Sequence, residues 1–414
     1  METDRPVATR WHRIGARAAG SAVIAAVSVA LPAGAAAADP ASDIVTIGHR
    51  GSAGLAPENT LAGIDLAHQH GPDFIEIDVQ LSADRIPVMM HDATVARTTN
   101  VAEVFPDRAG DPVTSFTYDE LQQLDAGSWY GDEYTGERIP TLREVLDHAY
   151  PRLGVVIELK NPASSPGLVQ VVADELASDP RWDELAATGR LKAISFDAAA
   201  VRELRDRRPD IPVMVLGAIP TSDAELESVA GWADEWGTNY RTLDPADVDR
   251  VHRAGMLLNV YTVNSPDHMS TVRELGVDMV TSDFPGVLER VLAGLDPLPD
   301  ANGVVISGVL ANPPGDDLQP ETGEHVMLAN PTNRPVYLGG YYLHDAVINR
   351  LVVGRGYLLL PGEELRVYTG PGSNRRDPRD ARYYNDFGRA VLNNGGDSLA
   401  LFTRTGALVD IFGY

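Results

Sequence analysis

Between Ile47 and Asp92 the chain places two histidines, two carboxylates and an arginine on segments that read as strands and strand ends. His49 and Arg50 follow a short apolar run, Glu76 and Asp78 alternate on the next, and His91 closes a third run, IPVMM (86–90). Imidazoles exchange protons near neutral pH. Carboxylates are hard oxygen ligands for a cation, and a guanidinium matches the oxygens of a phosphate. Together these residue types describe metal-assisted chemistry at a phosphate ester.

Glu76 and Asp78 stand at i and i+2 of a strand, so both project to one face. Burying two carboxylates side by side is costly unless a cation neutralises them. Glu158 and Lys160 repeat that spacing further on, adding a third carboxylate and an ammonium. Lysine is rare here: Lys160 and Lys192 stand against 32 arginines. A lysine two residues from Glu158 therefore suggests a position that needs a compact point charge rather than a fork. With no cysteine in the chain, three carboxylates describe an oxygen site for one divalent cation, Ca²⁺ or Mg²⁺ rather than zinc. The competing reading is a buried salt-bridge network using Arg50 and Lys160; the neighbouring histidines favour the metal. His68, His70, His252, His268, His325 and His344 read as packing or surface residues. Pro57-Glu58-Asn59-Thr60 reads as a helix start first, with contact of Glu58 or Asn59 to the site as the second reading.

The elements that must position these groups alternate. Strand candidates are IVTIG (44–48), FIEIDV (74–79), GVVIEL (154–159), KAIS (192–195), PVMVLG (212–217), EWGTN (235–239), LLNVYTV (257–263) and DMVTS (278–282). Amphipathic helical stretches lie between most of them. Eight such alternations over about 250 residues are the pattern of a TIM (β/α)₈ barrel. IPVMM follows the second strand too closely for a parallel crossover and must fold back as a hairpin. Counting outward from the turn sets Leu81 opposite Ile86, Asp78 opposite Met89 and Glu76 opposite His91. Residues 93–140 then form a long insertion with the aromatic pair Trp129-Tyr130, expected to cover substrate.

The rest of the chain sets the context. Of its 414 residues, the first 38 carry a basic start (Arg5, Arg10, Arg13, Arg17), an uncharged apolar run from Ala18 to Leu31 and Ala36-Ala37-Ala38. This is the pattern of a cleaved signal peptide, so a secreted protein without a stable membrane anchor is expected. A net charge of −25 argues against nucleic acid or an anionic membrane as partner. The barrel is expected over residues 43–295 and a Pro- and Asp-rich linker over 296–302. Residues 303–414 carry short alternating strands and glycine- and asparagine-rich turns, the signal of an all-β immunoglobulin-like sandwich.

His49-Arg50-Gly51, Pro57-Glu58-Asn59-Thr60, Glu76-x-Asp78, His91-Asp92, Glu158-x-Lys160, Ser195-Phe196, Tyr261-Thr262-Val263-Asn264 and Ser282-Asp283-Phe284-Pro285 run in order. As a set they resemble the glycerophosphodiester phosphodiesterase family. The resemblance implies His49 and His91 as the acid–base pair and Glu76, Asp78 and Glu158 as the ligands of the divalent cation. It places Arg50 and Lys160 on the phosphate and Tyr261, often tryptophan in the family, on the pocket wall. The implied reaction hydrolyses a glycerophosphodiester, small or polymeric as in teichoic acid, to glycerol 3-phosphate and an alcohol. Alternatives are a lysophospholipase D or sphingomyelinase-like activity on the same barrel, or a non-catalytic surface-binding protein. The tail, with Leu328-Ala329-Asn330, Leu338-Gly339-Gly340-Tyr341 and Asn393-Asn394-Gly395-Gly396-Asp397, resembles the lamin-tail domain. A cell-surface ligand is one expectation for it.

Overall fold

A computed structural model describes residues 44–299 and 301–414; the expected signal peptide, 1–38, lies outside them. The first part is a closed barrel. Its strands are β1 (Val45–Gly48), β2 (Phe74–Leu81), β4 (Gly154–Leu159), β5 (Leu191–Ser195), β6 (Val213–Leu216), β7 (Glu235–Asn239), β8 (Leu257–Tyr261) and β9 (Met279–Ser282), with β3 (Pro87–Met89) as the hairpin strand. β1 pairs in parallel with both β2 and β9, which closes the ring. Helices such as Leu61–His70 and Leu142–Ala149 cover the outside.

Side-chain alternation sorts the barrel into two compartments. On β2, Ile75, Ile77, Val79 and Leu81 pack outward beneath the helices. Phe74 points inward and shares the lumen with Ile47, Val156, Ile194, Met214, Leu216 and Met279. Glu76 and Asp78 continue the Phe74 face toward the C-terminal rim. The β2–β4 register sets Asp78 directly beside Glu158. An apolar plug thus closes the lumen beneath a carboxylate-lined rim.

The hairpin is antiparallel, but its register is one residue from that expected: Val79, not Asp78, faces Met89, and Leu81 faces Pro87. The turn explains the shift. Ser82 N donates to Ile86 O, so these two residues close the loop. Between them lie three residues, the last of which, Arg85, has φ 66°. A three-residue loop ending in a left-handed residue inserts a bulge that end-to-end counting misses. The ladder ends at Met89, so His91 is not cross-strand from Glu76. Instead, Gln80 Nε2 donates to Met90 O and Asp92 O, both at 2.7 Å, and pins the segment that carries His91.

The insertion builds a small core of its own, with Val88, Met90, Val95, Val101, Phe116 and Leu121 among its members. Single-turn helices Val101–Val104 and Tyr118–Leu121 fold over it, the second opened by a Thr117–Glu120 capping box. Arg108 stacks on Phe116 at 4.0 Å.

Beyond the barrel two four-stranded sheets form the sandwich. The first is β10 (Val305–Leu310), β11 (His325–Ala329), β16 (Glu364–Tyr368) and β17 (Ala381–Tyr384). The second, in spatial order, is β14 (Arg350–Val352), β13 (Tyr342–Asp345), β18 (Ser398–Phe402) and β19 (Leu408–Gly413), while β12 (Val336–Tyr337) pairs with β15 (Leu358–Leu359). YLGGYYLH, continuous as a sequence pattern, is split between β12 and β13. Gly340 there has φ 90°, a conformation open to glycine.

The two domains share packing. Ala400, Phe402 and Ile411 of the sandwich belong to the barrel's outer core. Arg241 Nη2 donates to Asp397 O at 2.8 Å, and Asn264 Nδ2 to Ser398 Oγ at 3.0 Å. His344 lies buried at this junction, ringed by Tyr130, Tyr342 and Phe402 with centroids 5.6, 5.0 and 5.3 Å away. Burial, reinforced by Arg350, pushes its pKa down to about 4. The unfolded chain then binds the extra proton between about pH 6.5 and 4, so stability falls as pH drops through that window. The loss is on the order of 3 kcal/mol. In melts at pH 6.5 and 4.5, wild type is expected to lose more stability than His344→Phe.

Candidate active site

His49 follows β1 directly, its backbone tied to Ser282 O at 2.9 Å. The chain then turns sharply through Arg50 (φ 49°) and Gly51 (φ 89°). A Cβ on Gly51 would lie 2.7 Å from the backbone carbon of Gly63, so only glycine lets this turn rest on the first helix. The turn aims Arg50 N at Glu76 Oε2, 3.0 Å away.

The carboxylates meet at the rim. Glu76, Asp78 and Glu158 are buried, and one oxygen of each lies within 4.8 Å of the others. Burial raises the Glu76 pKa well above the usual carboxylate range, and the charges of Asp78 and Glu158 add to it. Burial and Asp78 push Glu158 up to about 7. Burial opposes ionisation of Asp78 too, but Arg50 and Lys160 outweigh it and hold this carboxyl well below its ordinary value. Lys160 Nζ lies 2.9 Å from Glu158 Oε1 and 3.3 Å from Asp78 Oδ1, and Arg50 Nε lies 3.2 Å from Asp78 Oδ2.

These cations do not satisfy the cluster. Glu76 Oε1 is buried without a partner, and Asp78 Oδ1 has the 3.3 Å ion-pair contact to Lys160 but no hydrogen bond. An orphaned carboxylate oxygen in a dry site costs several kcal/mol. Three buried carboxylates that converge, with Glu76 Oε1 left unmet, fit a hard divalent cation.

Each histidine is held through Nδ1 by an aspartate. His49 Nδ1 lies 2.6 Å from Asp283 Oδ1, and His91 Nδ1 lies 2.8 Å from Asp92 Oδ1. An ionised carboxylate only accepts, so Nδ1 carries the proton and Nε2 is left for chemistry. His49 Nε2 is 3.9 Å from Glu76 Oε2. Burial lowers the His91 pKa, against the pull of Asp92. Burial works against the Asp283 carboxylate, but His49 and Asn264 keep its pKa below the ordinary value.

Several residues of this assembly were read from the sequence chiefly as structural or were given no role there. Glu58, read as helix-start chemistry, accepts from Arg50 at 2.9 Å and from Arg97 at 2.8 Å through both oxygens. Arg97 also grips Asp92 at 2.8 and 3.0 Å. A continuous chain of ion pairs therefore runs His91–Asp92–Arg97–Glu58–Arg50–Asp78. Asn59 clamps Asp78, donating to Oδ2 at 2.8 Å and accepting from its backbone N at 3.1 Å. Asn264 donates to Asp283 Oδ2 at 2.6 Å. Tyr261 lies across the rim, edge-on to Phe196 at 6.0 Å, and Lys160 sits 5.8 Å over the Phe196 ring. Phe196, 58% exposed, offers an apolar surface at the mouth.

The model of the glycerophosphoryl diester phosphodiesterase family matches residues 49–287, more than half of the chain. The chain belongs to this family. A glycerophosphodiester phosphodiesterase of Bacillus subtilis is 30% identical, over 61% of this chain and 87% of its own. One from Caldanaerobacter subterraneus is 31% identical, over 59% and 96%. A phosphodiesterase of Oleispira antarctica, solved with its product sn-glycerol 3-phosphate, shares the fold with TM-score 0.53 and 30% identity, over 60% of this chain and 96% of that one. The Lamin Tail Domain model matches residues 297–414. The protein is thus a phosphoric diester hydrolase of the glycerophosphodiester phosphodiesterase type, with a lamin-tail domain behind its barrel.

The ion-pair chain makes Arg97 the joint of the phosphodiesterase site. Arg97→Gln leaves Glu58 and Asp92 each short of a partner, and is expected to cost about 2 kcal/mol in denaturant melts. It should also displace the limb of the pH–activity profile that reports His91.

Proposed function

We propose that the protein is a secreted, metal-dependent phosphodiesterase that releases glycerol 3-phosphate from glycerophosphodiesters by two-histidine acid–base catalysis. One observation carries this reading. Two imidazoles, each oriented through Nδ1 by an aspartate, stand beside a buried three-carboxylate cluster with an orphaned Glu76 oxygen.

Glu76, Asp78 and Glu158 would hold the divalent cation, Ca²⁺ or Mg²⁺, which when bound neutralises phosphate charge. Arg50 and Lys160, already at the cluster's edge, add positive charge where the transition state gathers negative charge. One histidine accepts at Nε2 the proton of the attacking hydroxyl as its oxygen bonds to phosphorus. The other delivers a proton from Nε2 to the departing alcohol as its P–O bond breaks. Asp92 and Asp283 keep each ring in the tautomer this exchange needs. Phe196 and Tyr261 flank the mouth, where the alcohol leaves.

His49→Ala and His91→Ala are each expected to lower kcat by 10² to 10⁴ while leaving the melting temperature within a few degrees of wild type. Release of glycerol 3-phosphate from glycerophosphocholine, with lysophosphatidylcholine as the competing substrate, is the assay. Wild-type turnover of the lysolipid alone would displace the proposed substrate class.

Metal binding has a readout apart from activity. Adding Ca²⁺ or Mg²⁺ to chelator-treated protein should raise the melting temperature, because binding to the native state adds RT ln(1 + [L]/Kd) to stability. Glu158→Gln should abolish that increment. A rise that survives the substitution would place the ion elsewhere.

A further inference from the structure

The sandwich meets the groups behind His49 at a buried point of the domain junction. β18 opens with Ser398, whose hydroxyl accepts a hydrogen bond from Asn264 Nδ2 of the barrel at 3.0 Å. Both residues are buried. The same Nδ2 donates to Asp283 Oδ2 at 2.6 Å, and Asp283 Oδ1 holds His49 Nδ1 at 2.6 Å. Three hydrogen bonds thus connect a serine of the second domain to the imidazole at the carboxylate rim.

The direction of the Asn264 amide is not free. Its oxygen accepts from Asp283 N at 2.9 Å and from Ser282 Oγ at 3.3 Å. A backbone N–H can only donate, so it decides which end of the amide is oxygen. Nδ2 then faces the other way with two protons, one for the Asp283 carboxylate and one for Ser398. Removing the Ser398 acceptor leaves a buried N–H unmet. The amide then tilts toward whatever acceptor it can reach, and the tilt passes to the carboxylate it carries.

Ser398 is itself held firmly against this segment. In the sheet it pairs with Gly413, while its neighbour Leu399 pairs with Asp345 on the other side. A Cβ on Gly413 would lie 2.5 Å from the His268 ring and 2.9 Å from Ser265 Oγ. The backbone of β19 therefore rests on the residues that directly follow Asn264, and it fixes the height of Ser398 above the amide.

We propose that Ser398 is a positioning residue of the phosphodiesterase site, contributed by the lamin-tail domain. It orients Asn264, Asn264 orients Asp283, and Asp283 holds the His49 ring with Nε2 free for proton transfer. The inference rests on the two-histidine reading above and extends it across the domain boundary. Because Ser398 acts through His49 rather than on the substrate, its loss falls on kcat and spares KM.

The test uses the full chain with glycerophosphocholine as substrate. Ser398→Thr and Ser398→Val have nearly the same shape, but only threonine keeps the acceptor. Ser398→Val and Ser398→Ala should each lower kcat about tenfold, as loss of a group behind an active histidine commonly does. KM should stay within about twofold of wild type, and Ser398→Thr should restore most of kcat. Arg241→Gln removes a different bond between barrel and sandwich, the one to Asp397 O, and should leave kcat within about twofold. Equal kcat in the threonine and valine variants, or an equal loss in Arg241→Gln, would overturn the proposal.

Proton NMR supplies a readout that needs no turnover. The short Nδ1–H bond from His49 to Asp283 should give a downfield signal, identified by its loss in His49→Ala. In Ser398→Ala and Ser398→Val the signal should move upfield or exchange faster with solvent. A signal unchanged in both position and exchange sinks the role of Ser398 even where activity falls. A signal displaced as expected, in protein whose His49→Ala variant keeps full activity, leaves Ser398 orienting the ring and overturns the two-histidine reading instead.

Discussion

Everything at the catalytic end follows from an excess of buried negative charge. Glu58, Glu76, Asp78 and Glu158 are buried at the C-terminal rim, and Arg50 is the cation that touches or faces most of them. A guanidinium is suited to this because its fork reaches Glu58 and Asp78 at once while its own backbone N–H serves Glu76. That triple contact requires the left-handed backbone at Arg50 and Gly51 and the tight seat on the first helix. The residual charge, with an orphaned Glu76 oxygen and two carboxyls with raised pKa values, is what a divalent cation would neutralise. An isolated ion-pair network would be built to balance; this one is left short by design of its ligand set.

The two histidines obtain the same orientation from unrelated parts of the chain. His91 depends on the hairpin and insertion: Gln80 fixes the segment, Asp92 fixes the ring, and Arg97 fixes Asp92. His49 depends on the end of β9: Asp283 fixes the ring, and Asn264 holds Asp283 by donating to its carboxylate and accepting from its backbone N at 2.9 Å. Both arrangements place a carboxylate behind Nδ1, because that is the least costly way to fix tautomer and ring plane together.

The barrel was legible because its strands keep a strict two-residue alternation. Ile75, Ile77 and Val79 on one side, with Phe74, Glu76 and Asp78 on the other, can be sorted without coordinates. The three carboxylates were legible for the same reason. The hairpin register was not, since it turns on a left-handed Arg85 that composition does not announce. Glu58 and Asn59 were visible but ambiguous, because a helix start favours the same polar residues as a site does. Arg97 lies in a segment with no periodicity to aim it, and only the fold brings it to Glu58. In the tail, β17 pairs in parallel with β16 across an intervening stretch with no strand pattern, a pairing that local alternation does not announce.

The lamin-tail domain is more than an appendage in this geometry. Asn264 has one amide group with two N–H donors, and it sends one to Asp283 and the other to Ser398 of the sandwich. Its carbonyl oxygen is meanwhile committed to Asp283 N and Ser282 Oγ. With every position of this amide spoken for, it cannot rotate without breaking contacts in both domains. The orientation of Asp283, and through it of His49, is therefore coupled to the seating of β18 on the barrel. A barrel lacking the sandwich would lose the Ser398 acceptor and leave that second N–H to water. The same docking that closes this contact also buries His344 among Tyr130, Tyr342 and Phe402, so fixing the catalytic ring and sealing the domain junction are consequences of one packing event.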